Sequence, residues 1–151
     1  MAMVRGAFSP DRPPISACNM LSPVTQRQFA RVEERYPGST IEILPSGAAL
    51  VTVLDYPLPP GWSAATTTVR FLVPVGYPGP NPDCFWATSG LRLEGGGMPQ
   101  NATDPNAIPE TPFQELWFSW HIENPGQNWH PARDNLMTYL SMVGRRFEQL
   151  Q

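Results

Sequence analysis

The most constraining stretch of the chain is 77–82, which reads Tyr-Pro-Gly-Pro-Asn-Pro. Proline lacks a backbone N–H and fixes its own φ, so this stretch can form neither an α-helix nor a central strand. It predicts a rigid, extended bend. The chain holds 19 prolines, which occur throughout without forming a repeat. Their distribution predicts short elements joined by stiff loops.

Before this bend, the sequence predicts one helix and three strands. Ser22-Pro23 suits the start of a helix, because serine caps the first turn and proline fits the first helical position. Apolar residues follow at helical spacing until a Pro-Gly stop. Two runs rich in β-branched residues flank a Pro-Ser-Gly turn and predict an antiparallel hairpin, and a third run alternates. These elements are a helix over Ser22–Tyr36 and strands over Thr40–Leu44, Ala48–Leu54 and Thr66–Val73.

After the bend, the sequence predicts a strand, a loop, an apolar strand and a helix. The loop contains many Asn, Asp, Thr and Pro residues, and the sequence Asn-Pro-Gly at 124–126 predicts a turn. We therefore expect an α+β domain with an N-terminal helix, a four-stranded antiparallel meander, a long loop and a C-terminal helix, over residues 20–151. Residues 1–19 are expected to form an arm. The later elements are Cys84–Leu93, the loop Met98–Pro112, Phe113–Ile122 and the helix Pro131–Gln149.

Composition excludes several classes of protein. The net charge is −3 and the ten basic residues, all arginine, are scattered, which argues against nucleic-acid binding. No apolar run suggests a signal peptide or a membrane span, so we expect a cytoplasmic protein. Cys18 and Cys84 lie too far apart for a zinc motif or a disulfide framework, and we predict no cofactor or metal.

Two motifs resemble those of the ubiquitin-conjugating-enzyme (UBC) family. That family has a Tyr-Pro-x-x-Pro-Pro-x-apolar-x-Phe passage, and residues 77–86 read Tyr-Pro-Gly-Pro-Asn-Pro-Asp-Cys-Phe-Trp. It also has a Trp-x-Pro-Ala turn, and residues 129–132 read Trp-His-Pro-Ala. The resemblance covers Met20–Phe147 and is closest to divergent prokaryotic members. It implies a UBC-like fold and association with ubiquitin-like proteins, ThiF-type activating enzymes and JAB-type peptidases.

The chain departs from the family at both defining positions of thioester chemistry. The family places a cysteine about eight residues before its tryptophan, whereas here that count reaches His121, close to Ser119. The family's His-Pro-Asn tripeptide has no clean counterpart, and the nearest match is Pro99-Gln100-Asn101. We therefore expect a partner that binds the ubiquitin-like protein and its activating enzyme without a thioester. By resemblance, the contact surfaces are the loop Met98–Pro112 and the first helix, with Arg27, Arg31 and Arg35.

Several alternatives remain open from the sequence alone. Cys84 could be a displaced nucleophile, but it occupies a buried strand position beside Asp83, whose charge raises a thiol pKa. Ser119 could form an oxyester, which requires an adjacent base and an oxyanion site. His121 could act as acid, base or ligand, or simply donate to a backbone carbonyl. His121-Ile122-Glu123 resembles the His-x-Glu of zinc deaminases, but the Pro-Cys-x-x-Cys that those enzymes need is missing. The chain could also be an unrelated α+β binding module.

Overall fold

The computed structural model describes residues 21–122 and 128–151. The predicted arm over 1–19, Cys18, Glu123 and the predicted turn at 124–126 lie outside these residues. The described part is an α+β structure with two helices and one antiparallel sheet, as predicted. Its elements are α1 (Pro23–Arg35), β1 (Thr40–Ile43), β2 (Ala49–Pro57), β3 (Thr66–Val73), β4 (Phe85–Ala87), β5 (Ala102–Ala107), β6 (Gln114–Phe118) and α2 (Leu136–Phe147).

The sheet contains six strands in the order β1-β2-β3-β4-β6-β5, rather than the four strands of the predicted meander. The prediction was wrong about the loop Met98–Pro112, because its central residues form β5 and pair with β6. Pro105 argued against a strand there. It is accommodated because β5 lies at the edge of the sheet and its pairing shifts register between Thr103 and Asn106.

β4 is shorter than the predicted strand Cys84–Leu93. It ends at Ala87. The next residue, Thr88, forms hydrogen bonds that involve threonine side chains in place of backbone pairing between strands. The Thr88 hydroxyl accepts the Thr68 N–H at 3.0 Å, and the Thr88 N–H is donated to Thr67 Oγ1 at 3.0 Å. The chain then turns away from the sheet.

The two helices begin at capping side chains. The predicted first helix is confirmed, with Ser22 Oγ accepting the Thr25 N–H at 3.1 Å. The prediction placed the start of α2 at Pro131, whereas the helix begins at Leu136. Asn135 and Thr138 form a reciprocal capping box there, which satisfies two backbone donors and sets the start of the helix. Neither helix of the described part is long and apolar enough to cross a membrane.

The main core lies between the sheet and the two helices. Phe85, Phe118 and Phe147 are fully buried in it and contact one another through their rings. A smaller apolar cluster, formed by Leu44, Leu50, Trp86 and Ile108, lies apart from this core. Successive side chains of a strand point to opposite faces, so Phe85 enters the main core and Trp86 enters the smaller cluster. Trp86 is therefore buried and cannot form an exposed binding patch.

Candidate functional site

The proline bend is held against the two helices at its beginning. The Tyr77 hydroxyl donates to the side-chain carbonyl of Gln28 in α1, which also accepts the Leu136 N–H at 3.1 Å. The Trp129 indole N–H donates to the Pro78 carbonyl at 2.9 Å. These bonds fix the bend relative to α1, α2 and the Trp-x-Pro-Ala turn.

The end of the bend is fixed as well. The buried Tyr139 hydroxyl in α2 donates to the Asp83 carbonyl at 3.1 Å, and burial raises the pKa of that phenol. Asp83 precedes β4, which pairs with β6 through Phe85 and Phe118. Asp83 is therefore brought close to the residues that follow β6.

Residues 119–122, which follow β6, are anchored on two sides. The Ser119 N–H is donated to the Asn101 carbonyl at 2.8 Å, next to the pairing of β5 with β6. The Trp120 indole N–H is donated to the Met142 carbonyl of α2 at 3.1 Å. The backbone on either side of Ser119 is thereby held between the sheet and α2.

Asn101 is itself part of a fixed segment. It adopts a left-handed conformation with φ 54°, which asparagine tolerates better than most residues. The preceding carbonyl, of Gln100, accepts a bond at 2.9 Å from the buried guanidinium of Arg146. Asn101 and Ser119 are thus neighbours through a hydrogen bond between their backbones.

Ser119, His121 and Asp83 form a continuous chain of side-chain contacts. Ser119 Oγ lies 3.1 Å from His121 Nε2, and His121 Nδ1 lies 2.6 Å from Asp83 Oδ1. A proton on Nδ1 satisfies the carboxylate and leaves Nε2 as an acceptor for the serine hydroxyl. The arrangement gives Ser119 the adjacent base that the sequence alone did not reveal.

This three-residue site is open to solvent and borders a cleft. The side chains of His121 and Asp83 are 53% and 67% exposed, so a large substrate can reach them. The cleft has a volume of about 430 Å³. Its lining residues combine apolar, aromatic and polar side chains, and they are Trp120, His121, Ile122, Asn128, Tyr139, Met142 and Arg145.

Cys84 does not join this site. Its side chain packs against the smaller cluster that contains Trp86, on the other face of the strand from Phe85. Burial raises the pKa of the Cys84 thiol. A hydrogen bond with Trp117 lowers this pKa and the negative charge of Asp83 raises it, so that the pKa remains above its usual value. A half-buried thiol with a raised pKa is a poor nucleophile at neutral pH.

The sequence interpretation missed Asp83 as a partner of His121. It considered this carboxylate only for its effect on Cys84. The signal that reveals the pair is the register Phe85–Phe118, because continuing it past the strand ends places residue 83 opposite residue 120. That register depends on which strands are neighbours, and no local pattern gives it.

Metal chemistry gains no support from the described residues. They contain no group of three or more His, Cys, Asp or Glu side chains that could hold a metal ion. Glu123, which completes the His-x-Glu pattern, lies outside them.

A comparison with protein families identifies the relatives of the chain. Residues 31–150 match the family described as Prokaryotic E2 family E. The chain therefore belongs to this prokaryotic E2-like, UBC-like family, as the two motifs predicted. Family membership supports a component related to ubiquitin-like conjugation. No curated protein and no solved structure matched the chain.

Proposed function

We propose that this protein is an E2-like component of a bacterial ubiquitin-like system that binds the ubiquitin-like protein and its ThiF-type activating enzyme without forming a cysteine thioester. One observation carries the proposal. By resemblance, the count from Trp129 that reaches the family's cysteine reaches His121 here, while Cys84 packs into an apolar cluster with a raised thiol pKa. The frame around the missing cysteine persists, since Trp129 is buried and bonded to the proline bend.

The first proposed contact surface is the exposed face of α1. Arg27 and Arg31 are four residues apart, so they lie on one side of the helix. They line a groove of about 440 Å³ together with Asn135 and Met137. Exposed guanidinium groups beside a groove suit a partner with an acidic surface, and Arg35 extends the same stripe.

The second proposed contact surface is the segment 98–112. It includes β5, which lies at the edge of the sheet, and among the residues that the structure describes no strand pairs with the other side of its backbone. Such an edge can accept an extended segment of another chain by strand addition. This supports the segment as a place where a partner docks.

Titration calorimetry with the purified ubiquitin-like protein and activating enzyme tests the proposal. We expect binding to at least one of them, and a roughly tenfold or greater loss in Arg27→Ala/Arg31→Ala, because interface charges set both encounter and affinity. Glu33→Ala, an exposed substitution on another side of α1, is the matched control and should bind normally. Absence of binding to both proteins would contradict this proposal.

A further inference from the structure

We propose that Ser119, His121 and Asp83 form a nucleophilic site that accepts an acyl group from a thioester and holds it as an ester on Ser119. The observation is the continuous contact from Ser119 Oγ to His121 Nε2 at 3.1 Å and from His121 Nδ1 to Asp83 Oδ1 at 2.6 Å. Nucleophile, base and orienting carboxylate are recognised by this geometry and not by their order in the sequence.

The chemistry balances without an oxidant or a reductant. Ser119 Oγ attacks the carbonyl carbon of the thioester while its hydroxyl proton passes to His121 Nε2. The carbon–sulfur bond then breaks, and the departing sulfur takes that proton from His121. The products are a serine ester and a free thiol. Asp83 takes no proton in these steps and acts as a positioning residue, because it holds the ring with Nε2 toward Ser119.

The cleft beside His121 indicates the class of acyl group. Trp120, Ile122 and Met142 supply apolar surface, and Arg145 supplies a cation. This lining suits an extended peptide C-terminus, because a terminal carboxyl group that is part of a thioester carries no charge. The identification of that peptide with a ubiquitin-like tail rests on the proposed function, whereas the reactivity of Ser119 does not.

The chain offers favourable conditions for locating such an ester. It contains no lysine, so an acyl group cannot be lost to a lysine side chain of the same protein. Ser141 provides a matched control, since it is an exposed serine whose hydroxyl donates to the Met137 carbonyl within α2.

The test uses the full chain and a peptide that ends in Gly-Gly as its mercaptoethanesulfonate thioester. Released thiol is measured by chromatography, which reports the attack whether or not the ester is later hydrolysed, and fragmentation mass spectrometry locates the adduct. We expect an adduct on Ser119 that survives neutral dithiothreitol and is removed by hydroxylamine. Ser119→Ala should lose the reaction, and Ser141→Ala should retain it.

Two further variants separate catalysis from folding. His121→Gln should slow thiol release by about 10²-fold or more, the usual contribution of a general base. Asp83→Asn should slow it by about tenfold or more with an unchanged Tm, and Asp83→Glu should recover part of the rate. An adduct on Cys84, a rate unaffected by His121→Gln, or release no faster than that of folded Ser119→Ala would each overturn the proposal.

The outcomes also distinguish this inference from the proposed function. If the peptide thioester acylates Ser119 but neither protein partner binds, the site stands and the proposed function fails. If the partners bind and Ser119 remains unmodified by either the peptide or the charged activating enzyme, the function stands and the site fails. Ser119→Cys provides a second measure. Its adduct should be a thioester that dithiothreitol removes, and the rate at which the adduct forms should still depend on His121.

Discussion

His121 Nδ1 lies 2.6 Å from Asp83 Oδ1, although 38 positions separate the two residues along the chain. The proline bend and the residues after β6 are both anchored to α2, which brings this pair together. The contact fixes the orientation of the imidazole ring. Its consequence is that Nε2 lies 3.1 Å from Ser119 Oγ.

The first prediction concerns the tautomer of His121. Neutral His121 should carry its proton on Nδ1, because the Asp83 carboxylate accepts it. In Asp83→Asn the amide can donate to Nδ1 and move the proton to Nε2. Nitrogen NMR of the two ring nitrogens measures this, with His130 as the other histidine of the chain. A neutral wild-type His121 that carries its proton on Nε2 would contradict the geometry.

The second prediction concerns acid stability. Burial alone would raise the pKa of Asp104, but the Arg92 guanidinium and bonds from Gly90 and Ser89 outweigh it and hold the pKa below its usual value. For Asp134, the Arg133 guanidinium is the largest cause of a lowered pKa. Folding therefore gains stability from both carboxylates above the unfolded pKa of about 3.9 and loses it as pH falls through the folded values.

Denaturant unfolding between pH 7 and pH 3 measures this dependence. We expect Asp104→Asn to lower the free energy of unfolding at pH 7 by about 1–3 kcal/mol, because charge-assisted bonds are lost. We also expect a smaller further loss on acidification than in the wild type. An equally steep acid loss in Asp104→Asn/Asp134→Asn would show that other groups cause it.

The third prediction concerns the contact between Gly144 and Tyr56. A Cβ at Gly144 would lie 2.8 Å from the Tyr56 hydroxyl, which donates to the Leu140 carbonyl at 2.6 Å. Gly144→Ala should therefore destabilise the fold by about 1–3 kcal/mol despite the better helix propensity of alanine.

The matched double variant tests this cause. The loss in free energy of unfolding in Tyr56→Phe/Gly144→Ala should be about 1 kcal/mol smaller than the sum of the losses in the two single variants, because removing the hydroxyl removes the overlap. Gly95→Ala, where an added Cβ meets nothing within 4 Å, is the control and should be close to neutral. Additive single effects would rule out the overlap as the cause.

The fourth prediction compares two adjacent arginines. Arg146 is 3% exposed and donates to the backbone carbonyls of Gln100, Gln149 and Gln151, whereas Arg145 is exposed. Arg146→Met should lower the free energy of unfolding by about 2–3 kcal/mol, because these carbonyls lose a charged donor. Arg145→Met should change it by at most about 0.5 kcal/mol. Similar Tm values for both variants would contradict the role of Arg146.

Local patterns were sufficient to predict many elements of this fold. Ser22-Pro23 marks the start of α1, and the alternation over Thr66–Val73 matches β3 at both ends. The hairpin between β1 and β2 also follows from turn chemistry and composition. These features depend on residues close together in the sequence, so a pattern can report them.

The sequence did not reveal features that depend on long-range pairing. Pro105 led to the prediction of a loop where β5 forms, because the sequence does not show that this strand lies at the edge of the sheet. The start of α2 was misplaced because Pro131 suits a helix N-terminus, whereas Asn135 provides the cap. Asp83 can contact His121 because β4 and β6 are neighbouring strands, and no residue spacing in the sequence indicates that they are.

The most direct test of the central claim uses a chain without cysteine. Cys18→Ala/Cys84→Ala removes both thiols of the sequence. When this variant is mixed with the activating enzyme charged with its ubiquitin-like protein, we expect wild-type affinity and a covalent adduct that survives dithiothreitol. A wild-type adduct that dithiothreitol removes, and that the cysteine-free chain does not form, would show that the protein uses a cysteine thioester after all.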